Sequence, residues 1–240
     1  MNIIISPAKK MKEVDSFIAT KEPIYLEESL YLRKLINNLN LIDKQKMWNC
    51  SDKLFKDSLR LSNSNLKMPA LFAYDGIQYQ YMEPSLLDNE SLDYLNNHLF
   101  ILSALYGILE TTSLISPYRL EMKHKINDLS LYDYWGDKPY KVINNDLILN
   151  LASKEYSDLI TPYTNNIINV SFLEKDKDRY IQKGVHVKMV RGRMVRFLAE
   201  NKISNPCDIK KFNDLSFTYS YELSNEKEYV FIKEELWLEH

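Results

Sequence analysis

One cluster of cationic side chains lies in KMVRGRMVRFLAEN, from Lys188 to Asn201, and its first nine residues include four Lys or Arg. The whole chain of 240 residues has a formal net charge of only -2. The wider segment from Glu174 to Arg196 carries eight cationic and three acidic side chains, so the rest of the chain is acidic. A local excess of this kind binds a polyanion in one orientation, because the acidic remainder repels it. The alternative interpretation is a basic arm in solvent.

The chemistry of this cluster depends on where a strand gives way to a helix. The apolar pattern predicts a strand that ends near Val190 and a helix over Arg193 to Lys202. Lys188 and Arg191 would then lie beside the helix N-terminus, where backbone N–H groups and the helix dipole favour an anion. Arg196 lies four residues before an acidic side chain, which is the spacing of a surface ion pair. Lys188 and Arg191 are therefore the better candidates for an anion site, and Arg196 has either role.

A second basic row consists of Lys53, Lys56 and Arg60, which are three and four residues apart and share one face of a predicted helix. Lys46 lies one heptad earlier on the same side. Such a row can follow a phosphate backbone, whose contacts supply affinity without sequence information. A solvated helix face has the same pattern, so both interpretations stay open.

Arg119 and Glu121 lie two residues apart in SPYRLEMKHK and project from one face of an extended segment. The planar fork of arginine binds a carboxylate or a phosphate equally well. The partner of Arg119 is therefore Glu121, Glu155 or a ligand. A structural salt bridge and a ligand clamp both fit the spacing.

Polar residues recur where the predicted strands end. In α/β sheets, ligands bind outside the carboxyl ends of parallel strands, so these residues are expected to converge on one cleft. The alternative is local backbone capping and turn formation at each position. The residues concerned are Ser6, Lys9, Asp75, Gly76, Ser103, Tyr106, Gly107, Ser153, Glu155 and Tyr156, together with Lys188 and Arg191.

The pattern of apolar residues predicts an α/β (mixed α+β) fold, with a mixed sheet and flanking helices. The helices are predicted at Ser29–Leu41, at Lys44–Leu61 with Asp43 as N-cap, around Leu92–Leu99, over LYDYWGDKPYKVIN at 131–144 and at Arg193–Lys202. The strands are predicted at Ile3–Ile5, ALFAY (70–74), LFILSAL (99–105), DLILNLAS (146–153), IINVSF (167–172), RYIQKGVHVKMV (179–190) and a closing hairpin of FTYSYEL with EYVFIK around Ser224 and Asn225.

No repeat or low-complexity linker divides the chain. We therefore expect a single, elaborated domain over residues 1–237, with a helical N-terminal insertion at about 27–62 and a basic cleft. The ending LEH at 238–240 has the pattern of a tag remnant.

Several classes of protein are excluded by pattern. The two cysteines, Cys50 and Cys207, form no CxxC pair, and the start of the chain does not have the order of segments of a secretory signal. The longest apolar run is too short to cross a bilayer, so we expect a cytoplasmic protein without a membrane partner. No histidine pair has metal-ligand spacing, and GxGxxG, GxSxG and P-loop motifs do not occur, so we expect neither a metal nor a cofactor.

Six motifs, in order along the chain, together resemble the YaaA family of bacterial peroxide stress response proteins. They are ISPAK (Ile5–Lys9), LSALYG (Leu102–Gly107), PYRLEM (Pro117–Met122), LYDYWGD (Leu131–Asp137), NLASKEY (Asn150–Tyr156) and RGRMVRF (Arg191–Phe197).

This resemblance implies an unusual α/β fold, a positively charged cleft and a helix-hairpin-helix element that binds duplex and structured DNA. It also implies protection against hydrogen peroxide by limiting unincorporated iron. The candidate helix-hairpin-helix region, Ser51–Leu61, contains no glycine, although such hairpins use one to present backbone N–H groups. The residues at matching motif positions are Lys9, Arg119, Glu121, Ser153, Glu155, Tyr156, Arg191 and Arg196.

Two functions follow as hypotheses. The first is a DNA-binding stress protein that contacts phosphates without reading base sequence, through the basic row and the segment from Lys188 to Arg196. The second is an enzyme that acts on a nucleotide, nucleoside or other small anionic substrate in the cleft. In that case Glu121 or Glu155 acts as the acid or base, and Ser153 or Tyr156 orients the substrate. Iron sequestration by direct coordination is least favoured, because the sequence has no compact ligand set.

Overall fold

The main sheet of the described chain contains nine strands. The computed structural model describes residues 1–12, 20–62, 64, 66–144 and 146–234. The described strands are β1 (Asn2–Ile5), β2 (Met68–Pro69), β3 (Leu99–Ser103), β4 (Gly107–Glu110), β5 (Leu114–Ile115), β6 (Lys125–Ile126), β7 (Leu129–Ser130), β8 (Ile148–Asn150), β9 (Ile167–Asp176), β10 (Arg179–Ile181), β11 (Asn213–Asp214), β12 (Phe217–Tyr219) and β13 (Glu228–Lys233).

Along the chain, the described helices lie between the first and the last of these strands. Two short 3₁₀ helices occupy Pro84–Leu86 and Thr161–Tyr163. The described α-helices are α1 (Leu26–Asn38), α2 (Leu41–Trp48), α3 (Asp52–Ser62), α4 (Ala70–Ala73), α5 (Ile77–Met82), α6 (Asn89–His98), α7 (Leu131–Trp135), α8 (Lys138–Ile143), α9 (Lys154–Ser157), α10 (Gly184–Glu200) and α11 (Pro206–Ile209). The predicted fold class, a mixed α/β sheet with helices, is confirmed.

The strand order of the main sheet is β11-β12-β13-β9-β8-β1-β3-β4, and β10 pairs with β9 outside this path. The pairs β13·β9, β9·β8, β8·β1 and β1·β3 are parallel, whereas β4, β10, β11 and β12 pair antiparallel. From β1 the chain reaches β3 on one side and later β8 on the other. This reversal of direction places a topological switch point at the carboxyl ends of β1 and β8.

Two predicted strands are wrong. ALFAY forms the short helix α4, and all four helical residues are buried, so no alternation distinguishes a strand from a buried helix. The segment predicted as a strand to Val190 leaves the sheet at Ile181 and becomes α10 at Gly184. The alternation of Val185 and Val187 resembles a strand. The buried positions of α10, however, follow helical spacing, and they are Val187, Val190, Met194, Val195 and Leu198.

The helical insertion differs from its prediction in two respects. The predicted helix over Lys44–Leu61 is divided into α2 and α3, because Asn49 adopts a left-handed conformation with φ 39° and ends α2. The N-cap of α2 is Asn40 rather than Asp43, since the Asn40 side chain accepts a hydrogen bond from the Asp43 backbone N–H. Lys46 therefore lies on a different helix from the basic row of α3.

The remaining elements agree more closely with the sequence patterns. The closing hairpin is confirmed, because β12 pairs antiparallel with β13. The predicted helix over residues 131–144 is divided into α7 and α8 at Gly136, which has φ 49°. The single domain over 1–237 stays a prediction, although the buried hydrophobic side chains form one cluster. Residues 238–240, predicted as a tag remnant, lie outside the described part of the chain.

Helices α5 and α10 cross at Gly192. A Cβ atom at this position would lie 2.9 Å from the Met82 backbone nitrogen and 3.0 Å from the Tyr81 Cβ, and closer still to the Gln78 carbonyl oxygen. Since two of these atoms belong to backbone, a side chain at this position could fit only if α5 moved. The contact fixes α10 against the helix that begins directly after Gly76.

We expect Gly192→Ala to lower the free energy of unfolding by about 1–3 kcal/mol, because the added methyl group overpacks the crossing. The matched control is Gly184→Ala in the same helix, where no atom lies within 4 Å of the added Cβ. That substitution should be neutral or stabilising, since alanine favours a helix over glycine. Urea unfolding of both variants measures the difference, and equal midpoints would contradict the proposed close contact.

Candidate functional site

A cleft of about 530 Å³ lies at the switch point of the sheet. Its floor includes Ser6, which follows β1, and Ser153, which follows β8. The two hydroxyl oxygens are 3.2 Å apart, and the Ser153 backbone N–H donates to the Ser6 hydroxyl at 2.8 Å. Ser153 occupies the predicted N-cap position of α9, but its side chain bonds Ser6 instead of capping the helix. The two strand ends are thereby joined at the base of the cleft.

Twelve residues are candidates for a catalytic, anion-binding or DNA-binding role, and the structure brings eight of them to this cleft. The other four are Lys53, Lys56, Arg60 and Arg196. The functional roles of the eight stay predictions, but their convergence agrees with the strand-end argument. The eight are Lys9, Arg119, Glu121, Ser153, Glu155, Tyr156, Lys188 and Arg191.

Helix α10 brings Lys188 and Arg191 to the cleft by a different route from the predicted one. The two residues lie within α10, which begins at Gly184, and not at a strand end beside a helix N-terminus. Because they are three residues apart, they share a face of the helix. The anion-binding role of a helix N-terminus therefore does not apply to them, and only their side-chain charges can serve a ligand.

Glu121 is the best paired charge in the cleft. Its residue is only 4% exposed, and its Oε2 lies 2.8 Å from the Lys9 Nζ and 3.2 Å from the Lys123 Nζ. Burial alone would raise the pKa of this carboxyl, but the two ammonium groups outweigh burial and hold the pKa below its ordinary value. Glu121 is therefore ionised at neutral pH and fixes two lysines at the mouth of the cleft.

Arg119 and Arg191 have no such partner. Neither guanidinium makes a hydrogen bond or an ion pair with a described residue, and the Nε atom of each is buried. Burial lowers the pKa of Arg191 to about 10, so its guanidinium is still charged at neutral pH. The open question of the Arg119 partner is thus decided against an ion pair with Glu121 or Glu155 in this structure.

Buried polar atoms without a hydrogen-bond partner are concentrated in this cleft. In addition to the two arginine Nε atoms, Gln78 Nε2 and Glu155 Oε1 lack a partner among the described residues. Glu121 Oε2 also makes no hydrogen bond of good geometry, but its two ion pairs with lysines compensate its charge. Proteins rarely leave such groups unsatisfied, because each costs about 1–3 kcal/mol. Three donors and one acceptor at one place indicate a site that a ligand completes.

Three tyrosines close the cleft at its base. Tyr79, Tyr118 and Tyr156 are buried, and burial raises the pKa of each phenol, so all three are neutral at physiological pH. Tyr118 shares hydrogen bonds of 2.8 Å with the hydroxyls of Tyr74 and Ser103. Tyr79 donates to the Ser6 carbonyl at 3.0 Å. The base of the cleft is therefore rigidly supported.

Of the remaining strand-end residues, Gly76 lines the cleft, and Asp75, Ser103 and Gly107 are not among its lining residues. Asp75 forms an ion pair of 2.5 Å with Lys10. Ser103 accepts from the Tyr106 backbone N–H, behind Tyr118. Gly107, with φ 69°, lies where a side chain would meet the ring of Trp135. These residues have the structural roles given as alternatives.

Sequence reasoning missed five lining residues with polar groups: Tyr79 and Tyr118, and also Lys10, Gln78 and Lys123. Lys10 and Lys123 are direct neighbours of the ISPAK and PYRLEM motifs, and this proximity is the signal that could have found them. Gln78 reaches the cleft from the first turn of α5. No pattern in the sequence indicates that its amide is buried without a partner.

Arg196 lies outside the cleft. Its Nε is 2.7 Å from the Glu200 Oε1, as the spacing predicted, and its Nη1 is 2.5 Å from the Glu83 Oε2. The neighbouring Arg193 forms an ion pair of 2.6 Å with Asp214. The anion-binding role predicted for Arg196 has no geometric support, because both ends of its guanidinium contact carboxylates.

The basic row of α3 also lies outside the cleft. Lys53, Lys56 and Arg60 are exposed and make no ion pair with any described residue. The turn before α3 contains the left-handed Asn49, a conformation that usually requires glycine. Asparagine thus allows the tight turn between α2 and α3 in a region where glycine is missing.

The described residues contain no group of three or more His, Cys, Asp or Glu side chains placed to hold a metal ion. Within the same residues, no helix has the length and apolar character needed to cross a membrane.

Comparison with known proteins agrees with the resemblance in the sequence motifs. The family model described as peroxide stress protein YaaA matches residues 1–223. A UPF0246 protein of Lachnoclostridium phytofermentans is 42% identical over 248 residues, which cover 98% of this chain and 97% of the relative. A UPF0246 protein of Agathobacter rectalis is 41% identical, with coverage of 96% and 98%, and one of Lactobacillus helveticus is 40% identical, with coverage of 96% for both chains.

We expect Arg191→Met to raise the free energy of unfolding by about 1–2 kcal/mol, because it removes a buried donor that has no partner. Arg193→Met, two residues away in α10, removes a guanidinium that is ion-paired with Asp214. This variant should therefore lower the free energy of unfolding. Urea unfolding of the ligand-free proteins compares the two. If both variants lose stability equally, Arg191 has a structural role.

The pairing of Glu121 predicts a pH dependence of stability. Its pKa is below the ordinary value of 4.5, so this carboxylate contributes stability above about pH 4.5, and the contribution is lost as pH falls through the folded-state pKa. We expect Glu121→Gln to lose less stability than the wild type between about pH 5 and about pH 3. Glu90→Gln, at an exposed surface pair, is the control. Parallel pH curves for Glu121→Gln and the wild type would contradict this.

Proposed function

The chain belongs to the peroxide stress protein YaaA family, and from this premise we propose that it acts in the defence against hydrogen peroxide by binding DNA. The proposed contacts are non-specific phosphate contacts from the basic row of α3 and from the mouth of the cleft. We further propose that it acts in the cytoplasm and helps limit damage that intracellular iron causes.

The observation that carries the DNA proposal is the unpaired charge on α3. Lys53, Lys56 and Arg60 are aligned on one exposed face, whereas many surface lysines elsewhere in the described chain pair with an acidic side chain. A solvated row without internal partners is free to exchange counterions with a phosphate backbone. The left-handed Asn49 makes the turn between α2 and α3, and we propose that α2, this turn and α3 together form the DNA-binding element.

The cleft adds a second set of cations. Lys9, Lys10, Lys123 and Lys188 lie around its mouth with exposed or partly exposed ammonium groups. Acidic partners hold the first three in place but leave them in contact with solvent. We infer that these lysines guide a polyanion toward the cleft, because long-range attraction does not require an unpaired charge at contact distance.

We also propose how the DNA-binding element is connected to the rest of the domain. The single domain of residues 1–237 would carry its DNA element on the helical insertion, α1–α3. Arg33 of α1 connects this insertion to the cleft, since it donates to the Ser116 carbonyl and to the Tyr106 hydroxyl at 2.9 Å each. The segment it holds leads directly to Arg119.

A second function, an enzyme for a small anionic substrate, is supported by the unpartnered atoms in the cleft. The carboxylates of Glu121 and Glu155 differ in whether they are free to exchange a proton with a substrate. Glu121 is engaged by two lysines, whereas Glu155 Oε1 is buried and has no partner among the described residues. In this proposal Glu155 is the acid or base, and Arg119 and Arg191 hold the anion. Ser153 and Tyr156 orient the substrate.

The test of DNA binding is fluorescence anisotropy with labelled intact, bulged and single-stranded DNA over a series of salt concentrations. We expect Lys53→Ala/Lys56→Ala/Arg60→Ala to weaken binding and to reduce the slope of log affinity against log salt by about 0.9 for each phosphate that is no longer neutralised. A combined Lys188→Ala/Arg191→Ala variant reports separately on the cleft.

The matched control is Lys202→Ala/Lys210→Ala/Lys211→Ala, which removes the same charge from positions outside both α3 and the cleft. An equal decrease in affinity for this control would show that only net charge matters. The DNA proposal would be contradicted if the affinity did not change with salt concentration, or if none of the three DNA forms bound.

A further inference from the structure

We propose that the closed base of the cleft is a subsite for a phosphomonoester of mononucleotide size. The monoester is either a free nucleoside monophosphate or the phosphorylated end of a DNA strand. The inference rests on the proposal that the cleft binds an anion, and it specifies which anion. It does not depend on the basic row of α3.

The donors at the base favour a monoester over a diester. Arg119 Nε, Arg191 Nε and Gln78 Nε2 are buried donors without a partner among the described residues. A phosphomonoester presents three terminal oxygens and a charge of about -1.5 to -2 at neutral pH. A diester within a strand has two free oxygens and a single charge. Two guanidinium groups and an amide are therefore better matched by a monoester.

The shape of the cleft supports the same choice. The buried rings of Tyr79, Tyr118 and Tyr156 line the cleft and belong to the hydrophobic core, so on this side a ligand meets packed protein rather than solvent, and a continuous strand could not pass through. A terminal phosphate or a free mononucleotide needs only one opening. The volume of about 530 Å³ lies within the range of about 300–1,000 Å³ found for small-molecule sites.

Glu155 indicates what the phosphate is attached to. Its Oε1 is buried without a described partner and is an acceptor, so the ligand should offer an N–H or O–H group in addition to its phosphate. The hydroxyl groups of a sugar and the amino groups of a base both do this. A nucleoside monophosphate should therefore bind more tightly than inorganic phosphate.

Isothermal titration calorimetry of the full chain tests the ligand class. The probes are inorganic phosphate, the four deoxynucleoside 5′-monophosphates and the corresponding nucleosides. We expect at least one monophosphate to bind more tightly than inorganic phosphate. Its affinity should exceed that of its nucleoside by about tenfold or more. Its affinity should rise between about pH 5.5 and about pH 7.5, because the second phosphate pKa is near 6. Equal binding of nucleoside and monophosphate, or no binding of any monophosphate, would overturn the proposal.

Variants test the named residues. We expect Arg119→Gln and Arg191→Gln each to lower monophosphate affinity by about tenfold to a hundredfold, in the range for a hydrogen bond to a charged group. The control Lys202→Ala/Lys210→Ala/Lys211→Ala should bind normally. Urea unfolding shows whether each variant is folded. If one arginine variant does not fold, the other still tests the proposal. Unchanged affinity in a folded arginine variant would contradict its assigned role.

Oligonucleotides that differ only in a 5′-phosphate or a 5′-hydroxyl distinguish the two sources of the monoester. A preference for the phosphorylated end identifies a strand terminus, and equal affinity together with monophosphate binding identifies the free mononucleotide. The DNA proposal and this inference fail separately. Salt-dependent duplex binding without any monoester preference overturns the subsite alone, whereas monophosphate binding without duplex binding overturns the DNA proposal alone.

Discussion

Strand β1 imposes the constraint on which the cleft depends. All four of its residues are buried, and it pairs parallel with β3 on one edge and β8 on the other. Parallel pairing brings the carboxyl ends of these strands to one side of the sheet, where the chain must leave each strand and turn. The ISPAK turn after β1 and the turn after β8 therefore meet, and the hydrogen bond from the Ser153 backbone to Ser6 joins them. Of the charged side chains that follow these turns, Lys9, Lys10 and Glu155 line the cleft around this contact.

The polar and charged groups in the cleft differ in how well the folded chain stabilises them. Glu121 is buried but receives two ammonium groups, so its ionised form is favoured in the folded chain. Arg119, Arg191, Gln78 and Glu155 place polar atoms in the same cleft without a partner among the described residues. Such an arrangement lowers stability, and natural proteins retain it mainly where function needs pre-formed groups. The Gly192 crossing explains how the arrangement is maintained, since it locks Gln78 on α5 and Arg191 on α10 into one rigid unit.

The sequence predicted the fold class and the convergence of eight candidate residues on one cleft, because both depend on local patterns. Buried strands such as Ile3–Ile5 have clear apolar runs, and polar residues at strand ends converge by the general geometry of parallel sheets. Lys188 and Arg191 reached the cleft although their predicted element was wrong, because an amphipathic helix across the cleft presents them as well as a strand end would. The missed features depend on long-range packing. No local pattern shows that Arg196 meets Glu83, that Asn49 divides a helix, or that the Gln78 amide is buried.

The distribution of arginine and lysine over the cleft has a physical reason. The base contains Arg119 and Arg191, and the mouth contains Lys9, Lys10, Lys123 and Lys188. An ammonium group is strongly hydrated and shifts its pKa readily when buried, so an unpaired lysine at the base would lose its charge. A guanidinium group is less strongly hydrated, and burial lowers the pKa of Arg191 only to about 10, so it keeps its charge there. In our proposal, lysines at the mouth attract an anion over distance through water, and the unpartnered arginines donate hydrogen bonds to it directly. If the cleft binds an anion as we propose, this distribution lets the entrance attract anions broadly and the base select among them.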